Sequence, residues 1–167
     1  LSSVEAYDPA MNSWTTKASL PTTRGAGSAA TVGNTMYVMG GFAPGACGSG
    51  LDGANLAYDP VTNMWTARAS MPTPRAEVGL AVIGGMIYAA GGYNIASCSS
   101  NGLPTLEMYD PVGNSWTAKA PMPLTRLNHA TASTGGKIYV IGGYTVPITA
   151  QATVQIYDPG TDSWSAG

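Results

Sequence analysis

Short apolar runs separated by glycine-containing pairs are the main pattern along this chain. Ser28–Val32 is apolar or small, Gly33-Asn34 follows it, and residues 36–39 are again apolar. The same order recurs at Gly79–Ile83, Gly84-Gly85 and residues 86–88. These runs are shorter than the ~10–12 residues of a typical helix. Because glycine accepts the positive φ of a tight hairpin, the pattern predicts pairs of antiparallel strands.

A Tyr-Asp-Pro triplet marks the end of a third predicted strand. Proline cannot donate to a strand ladder, and aspartate bonds to the backbone ahead of it in turns. The triplet begins at Tyr7, Tyr58, Tyr109 and Tyr157. The four tryptophans of the chain each follow one of these tyrosines by seven positions, at Trp14, Trp65, Trp116 and Trp164. Each tryptophan opens a fourth predicted strand.

These motifs form an internal repeat. Successive Tyr-Asp-Pro tyrosines are 51, 51 and 48 residues apart. A glycine pair closes an apolar run in each copy, at Gly40-Gly41, Gly91-Gly92 and Gly142-Gly143. Chance does not place so many rare residues in register. Four short antiparallel strands in about 50 residues predict one propeller blade per repeat.

The glycine pair, the tyrosine and the later tryptophan together resemble the kelch repeat, over essentially the whole chain. The resemblance implies an all-β fold of four-stranded blades, usually five to seven of them around a central channel. It also implies that each tyrosine and tryptophan pack between neighbouring blades, where their large apolar area contributes much of the burial.

The resemblance divides 1–167, a single repeat region, into three and a half blades. Residues 1–23 supply strands three and four of a partial blade, and complete blades follow at 24–72, 73–123 and 124–167. Propellers typically have four to eight blades, so this number does not close a ring. We expect either a homodimer that closes a six-bladed ring or missing blades in a longer chain. The start at Leu1 shows no signal-peptide pattern, but leader removal or excision from a longer protein would give the same sequence.

Charge limits the functions that this chain can have. Seven Lys or Arg and nine Asp or Glu give a net charge of −2, and 10% of residues are charged. This balance predicts no nucleic-acid partner and no membrane partner. Nearly every charge occupies a repeated position, and Asp52 and Glu77 are the acids left over. We therefore expect no catalytic residues, no metal and no cofactor.

Three arginines recur in register, at Arg24, Arg75 and Arg126. The resemblance places them where strand four of one blade crosses to strand one of the next. Two interpretations stay open. They bind an acidic ligand near the channel mouth, as in some kelch adaptors, or they bond loop carbonyls and stabilise the inter-blade turn. Asn128 and His129 follow Arg126 and are further candidates for ligand contact, although a lone histidine is more often a hydrogen-bonded motif residue.

Specificity is expected in the loops between strands two and three. An aromatic residue follows each glycine pair, at Phe42, Tyr93 and Tyr144. Largely uncharged loops on a rigid scaffold favour recognition of a protein or other polymer over chemistry. The alternatives are a fragment of a kelch-like enzyme, of the sugar oxidase or sialic-acid isomerase type, and a purely structural module.

Cys47 and Cys98 lie in these loops, 51 residues apart and therefore at one repeat position. A disulfide between them requires Cα atoms within about 7 Å of each other. A bridge would indicate an oxidising, extracytoplasmic compartment. The alternative is two free thiols that are equivalent only through duplication.

Overall fold

The computed structural model describes residues 1–43, 50–96, 99–145 and 147–167, and these residues form strands and turns without a helix. In chain order the strands are β1 (Val4–Asp8), β2 (Ser13–Lys17), β3 (Ser28–Val32), β4 (Thr35–Met39), β5 (Asn55–Asp59), β6 (Met64–Arg68), β7 (Gly79–Ile83), β8 (Met86–Ala90), β9 (Tyr93–Ala96), β10 (Ser99–Gly102), β11 (Leu106–Asp110), β12 (Ser115–Lys119), β13 (Ala130–Thr134), β14 (Lys137–Ile141), β15 (Tyr144–Thr145), β16 (Thr149–Ala150), β17 (Val154–Asp158) and β18 (Ser163–Ala166).

The strands form three complete blades and a half-blade. The half-blade pairs β1 with β2, and the blades pair β3-β4-β5-β6, β7-β8-β11-β12 and β13-β14-β17-β18, all antiparallel. We call them blades one, two and three. This arrangement confirms the predicted all-β fold of four-stranded blades, three and a half in number. The residue boundaries assigned to the blades stay predictions.

Two small hairpins add to the predicted strands. β9 pairs with β10 and β15 pairs with β16, both in the segment that joins strand two to strand three of a blade. The sequence predicted loops in these segments. Their residues show no regular alternation of apolar and polar positions, so pattern alone gave no reason to predict strands there.

Each tyrosine of a Tyr-Asp-Pro triplet lies opposite the following tryptophan across a hairpin. The registers pair Tyr7 with Trp14, Tyr58 with Trp65, Tyr109 with Trp116 and Tyr157 with Trp164. The paired ring centroids are 4.8–5.2 Å apart. Asparagine or aspartate occupies the intervening turn with positive φ, which these short polar residues tolerate better than most, at Asn12, Asn63, Asn114 and Asp162.

This hairpin holds the main chain of the preceding blade. Asn114 Oδ1 accepts hydrogen bonds from the Tyr109 hydroxyl at 2.8 Å and from the backbone N–H of Ala69 at 2.9 Å. The Trp116 indole N–H donates to the carbonyl of the same Ala69 at 2.8 Å. We call this set of three side chains around one alanine the inter-blade clasp. It joins blade two to blade one.

The clasp is repeated at the other two blade junctions. Blade one holds Ala18 with Tyr58, Asn63 and Trp65. Blade three holds Ala120 with Tyr157, Asp162 and Trp164. The held alanine is always the residue directly after strand four. The predicted packing of the aromatic pair between blades is therefore present, and hydrogen bonds to the neighbouring main chain accompany it.

The hydrophobic core lies between blades. Tyr37 of blade one contacts Tyr109 of blade two, with ring centroids 5.8 Å apart, and Ile87 is buried beside them. Tyr88 and Tyr157 form the corresponding contact between blades two and three, with centroids 6.0 Å apart. Each blade therefore buries its apolar side chains against its neighbours in the chain.

The half-blade presents an open clasp. One side of it packs on blade one, while Tyr7 and Trp14 point away and are 46% and 67% exposed. Asn12 Oδ1 accepts a hydrogen bond from the Tyr7 hydroxyl at 2.8 Å, as in the closed clasps. The geometry of the clasp therefore forms without an alanine to hold.

Replacing the turn asparagine tests the clasp. Asn114→Ala removes the acceptor for Ala69 N–H and should lower the free energy of unfolding by about 1–3 kcal/mol, because that donor is left unpaired between blades. Asn12→Ala is a matched control, since Asn12 has the same left-handed backbone and tyrosine bond but no inter-blade partner among the described residues. Urea unfolding should show the larger loss for Asn114→Ala. Equal losses would contradict a role for the inter-blade bond.

Candidate ligand-binding face

The loops after strand two and the segments that cross between blades meet at one end of the blades. We call the stretches leading into β3, β7 and β13 the crossing segments. In each blade one crossing residue exchanges two backbone hydrogen bonds, of 2.9–3.1 Å, with the aromatic residue after the glycine pair. The pairs are Gly25 with Phe42, Ala76 with Tyr93 and Leu127 with Tyr144. We call these aromatic residues and the crossing segments the aromatic face.

The glycine pairs allow this close approach. Gly92 has φ of 87°, and a Cβ atom there would lie 2.5 Å from the carbonyl oxygen of Ala76. Its N–H donates to the carbonyl of Arg126, in the next crossing segment, at 2.9 Å. Gly41 makes the same bond to Arg75 at 3.0 Å. The glycine pairs of blades one and two therefore each connect two successive crossing segments through the main chain.

The aromatic side chains are partly accessible. Phe42 and Tyr93 are half-buried, and Tyr144 is 39% exposed. Their main chains are fixed to the crossing segments, so the three rings start from defined backbone positions at the base of the loops. The structure places the three predicted aromatic residues at one end of the blades.

Arg75 is turned inward. Its guanidinium is fully buried, donates to the carbonyls of Gly91 and Ala89 at 2.9 Å and forms an ion pair with Glu107. Burial lowers the pKa of Arg75, and the charge of Glu107 opposes that shift. From the sequence, Glu107 had only a repeated position and no predicted partner. Blade one has leucine and blade three glutamine at this place, so the repeat gave no signal for an ion pair.

The other two arginines have different partners. Arg24 bonds to the carbonyl of Gly40 and to the Asp52 carboxylate at 2.9 Å. Asp52, to which the sequence assigned no role, is therefore the ion-pair partner of Arg24. Arg126 is fully buried and donates to the Thr125 carbonyl at 3.0 Å and the Thr153 hydroxyl at 2.7 Å. The geometry favours the turn-stabilising interpretation of the arginines over direct ligand contact.

His129 and Asn128 differ in exposure. Asn128 is exposed and has φ of 52°. The His129 ring lies against β7, where a Cβ atom on Gly79 would be 2.5 Å from its Nε2 atom. Burial, with the nearby charge of Arg126, lowers the pKa of His129 to about 4, so the ring is neutral at pH 7. Of these two residues, Asn128 is the one available to a ligand.

Glu77 is a charged residue of the aromatic face that sequence reasoning did not assign. It follows Ala76 in a crossing segment and has φ of 53°. Its Oε2 atom is buried without a hydrogen-bond partner among the described residues, and burial raises its pKa. Ala26 and Asn128 occupy the equivalent positions of the other blades. The sequence signal that could have identified Glu77 was its charge, because the other two copies of the repeat have uncharged residues at this position.

From the sequence we expected no metal site and no membrane partner, and a disulfide between Cys47 and Cys98 was left open. In the described ranges, no group of three or more His, Cys, Asp or Glu side chains is placed to hold a metal ion. Nor does that part of the chain contain a helix long and apolar enough to cross a membrane. Cys47 and Cys98 lie outside the described residues, so their disulfide stays a prediction.

Comparison with known proteins gives consistent matches. A family model described as the KLHDC2/KLHL20/DRC7 kelch-repeats domain matches residues 1–143, and a kelch motif model matches residues 125–167. Kelch-like protein 36 of Mus musculus is 34% identical over 172 residues, which is 100% of this chain and 27% of that protein. Kelch-like protein terF of Aspergillus terreus is 32% identical over 95% of this chain and 36% of its own length.

A solved structure supports the fold. The structure titled "Structure of YjhT" aligns with a TM-score of 0.77 and 22% identity over 93% of this chain and 55% of its own. At that identity the likeness concerns the fold alone. The chain spans about a quarter to a third of the two curated relatives described above.

The buried ion pair gives a prediction about stability. Arg75→Ala should lower the free energy of unfolding by about 3–5 kcal/mol, because it leaves the Glu107 carboxylate buried without its cation. Arg24→Ala should cost less, since the partner Asp52 has a side chain 41% exposed to water. Urea unfolding of both variants measures the difference. An Arg75→Ala protein with unchanged stability would contradict the turn-stabilising role.

Proposed function

Because the chain belongs to the kelch-repeat family, we propose that it is a binding scaffold that takes a protein or another polymer on its aromatic face. One observation carries the proposal. Phe42, Tyr93 and Tyr144 are fixed by paired backbone hydrogen bonds at one end of the blades and keep part of their surface accessible. Rigid aromatic side chains give large contact area at little cost in conformational entropy, which suits recognition.

The scaffold proposal is favoured over the enzyme alternative. The curated relatives described above bear Kelch-like names, and the chain matches kelch family models along its length. The charged residues at the arginine positions are occupied in holding the crossing segments, with Arg75 paired to Glu107 and Arg24 to Asp52. Their contribution to binding is therefore to fix the face, while Asn128 is a candidate for direct contact beside Tyr144.

Removing aromatic side chains tests the face. A Tyr93→Ala, Tyr144→Ala double variant should lose cross-linked protein partners that the unchanged chain captures from an extract of its source, identified by mass spectrometry. Val61→Ala, Val112→Ala is the control, because both valines are exposed in turns between strands three and four, away from the aromatic face. Melting curves establish that the variants are folded. Identical partner sets for the double variant and the unchanged chain would contradict the proposal.

We further infer that the open clasp is covered by self-association of this chain. Tyr7 and Trp14 expose a large aromatic surface, and the equivalent surfaces inside the chain are buried by the neighbouring blade. Two copies contribute six complete blades, a number within the usual range for closed propellers. Exposed apolar patches of this kind commonly mark an interaction site.

Light scattering tests self-association. The unchanged chain at about 10 μM should have a dimer mass, and Trp14→Ala should shift the mass towards the monomer, because the exposed ring supplies much of the apolar surface. Val61→Ala, at an exposed turn position, should leave the mass unchanged. A monomer mass for the unchanged chain would overturn this inference without affecting the aromatic face.

A further inference from the structure

Each junction between blades joins the clasp of the later blade to an apolar face of the earlier blade. Successive side chains of a strand point to opposite sides of its sheet, so this face consists of alternate residues. In blade one it comprises Ala30, Val32, Tyr37, Met39 and Ala57. These residues belong to or pack against one core cluster, together with Tyr109 and Trp116 of blade two. We call these five positions of a blade its trailing face.

Blade two repeats this arrangement towards blade three. Its trailing face comprises Ala81, Ile83, Tyr88, Ala90 and Met108. These residues share a core cluster with Tyr157 and Trp164 of blade three. In both junctions the trailing tyrosine meets the clasp tyrosine, with ring centroids 5.8 Å apart for Tyr37 and Tyr109 and 6.0 Å apart for Tyr88 and Tyr157. Both trailing faces that have a following blade are therefore covered by its clasp.

The trailing face of blade three is open. It comprises Ala132, Thr134, Tyr139, Ile141 and Ile156. Ile141 is 43% exposed, whereas its counterparts Met39 and Ala90 are fully buried. Ile138 and Val140 alternate with Tyr139 and Ile141 along β14 and are fully buried in the cluster shared with blade two. Four of the five positions are apolar, so blade three presents a junction surface that no blade of the described chain covers.

The chain therefore has one uncovered surface of each kind. In the open clasp Tyr7 and Trp14 are exposed, while the clasp tyrosines Tyr109 and Tyr157 are fully buried. Inside the chain, what covers a clasp is always a trailing face. A second copy of this chain carries an uncovered trailing face, which is the surface that fits the open clasp.

We propose that the open clasp of one copy packs on the trailing face of blade three of a second copy, with Tyr7 against Tyr139 in the way that Tyr109 packs against Tyr37. The proposal rests on the self-association proposed above and names the two surfaces that meet. The contact is heterologous, because each copy contributes a different surface to it. In a closed pair both clasps are covered in this way, so the dimer contains the contact twice.

Two single variants and their mixture test the contact. Trp14→Ala alters the clasp, and Tyr139→Asp places a charge on the trailing face of blade three. In native mass spectrometry, at the concentration used for light scattering, each variant alone should shift towards the monomer, because every contact in its dimer contains one altered surface. An equal mixture should form dimers with one copy of each variant. In such a dimer the intact clasp of the Tyr139→Asp copy packs on the intact trailing face of the Trp14→Ala copy.

Val112→Asp is the matched control. It introduces the same charge at a residue that is 95% exposed in the turn between β11 and β12, outside both surfaces, and it should keep the dimer mass of the unchanged chain. Melting curves establish that the variants are folded. Ile141→Asp, at a more exposed position of the same trailing face, replaces Tyr139→Asp if that variant does not fold.

The outcomes separate this contact from self-association as such. A folded Tyr139→Asp protein that keeps the dimer mass would overturn the proposed contact, while self-association through Trp14 stood. A mixture without mixed dimers would also overturn it, and is the result expected if two clasps meet each other. A monomer mass for the unchanged chain would overturn self-association and this contact together.

Discussion

The structure depends on the inter-blade clasp, in which one blade holds the main chain of a single alanine of the blade before it. Ala69, at the end of strand four, has its N–H bonded to Asn114 and its carbonyl bonded to Trp116. Strand four is the outermost strand of a blade, so its end has no further strand to pair with. The clasp satisfies these groups and also sets the distance between blades. In a repeat of this kind each unit contacts only its neighbours, so stability passes along the chain through such junctions.

The aromatic face, like the clasp, is held by hydrogen bonds to the main chain. In blades one and two the glycine pair allows the base of the loop to lie against two successive crossing segments, and the nearby arginine side chains bond inward. A surface built this way is stiff, because its backbone is bonded on both sides. In the binding role proposed for this face, specificity would depend on the few accessible side chains, such as Tyr93 and Asn128, and on the loops beyond.

Repetition made the fold readable from the sequence, and departures from repetition made the site hard to read. The four Tyr-to-Trp spacings predicted the strand ends, because the same turn recurs in every copy. The resemblance to the kelch repeat implied the packing of the aromatic pairs between blades. The direction of the arginines stayed open, because spacing does not reveal where a guanidinium points. Their partners come from different places, Asp52 from a loop and Glu107 from strand three, so no register connects them. The β9–β10 hairpin occurs in a Ser- and Asn-containing segment without alternation and had no signal at all.

The held alanine has one more consequence. The clasp grips the N–H and the carbonyl of that residue, groups that every amino acid except proline possesses, and it makes no hydrogen bond to its side chain. The clasp side chains of a duplicated blade can therefore bond to the main chain of any neighbouring blade. No matched pair of substitutions is needed on the two sides of the junction. Duplication of a whole blade therefore requires no compensating substitutions at the junction between blades. Sequence changes can then accumulate in the loops.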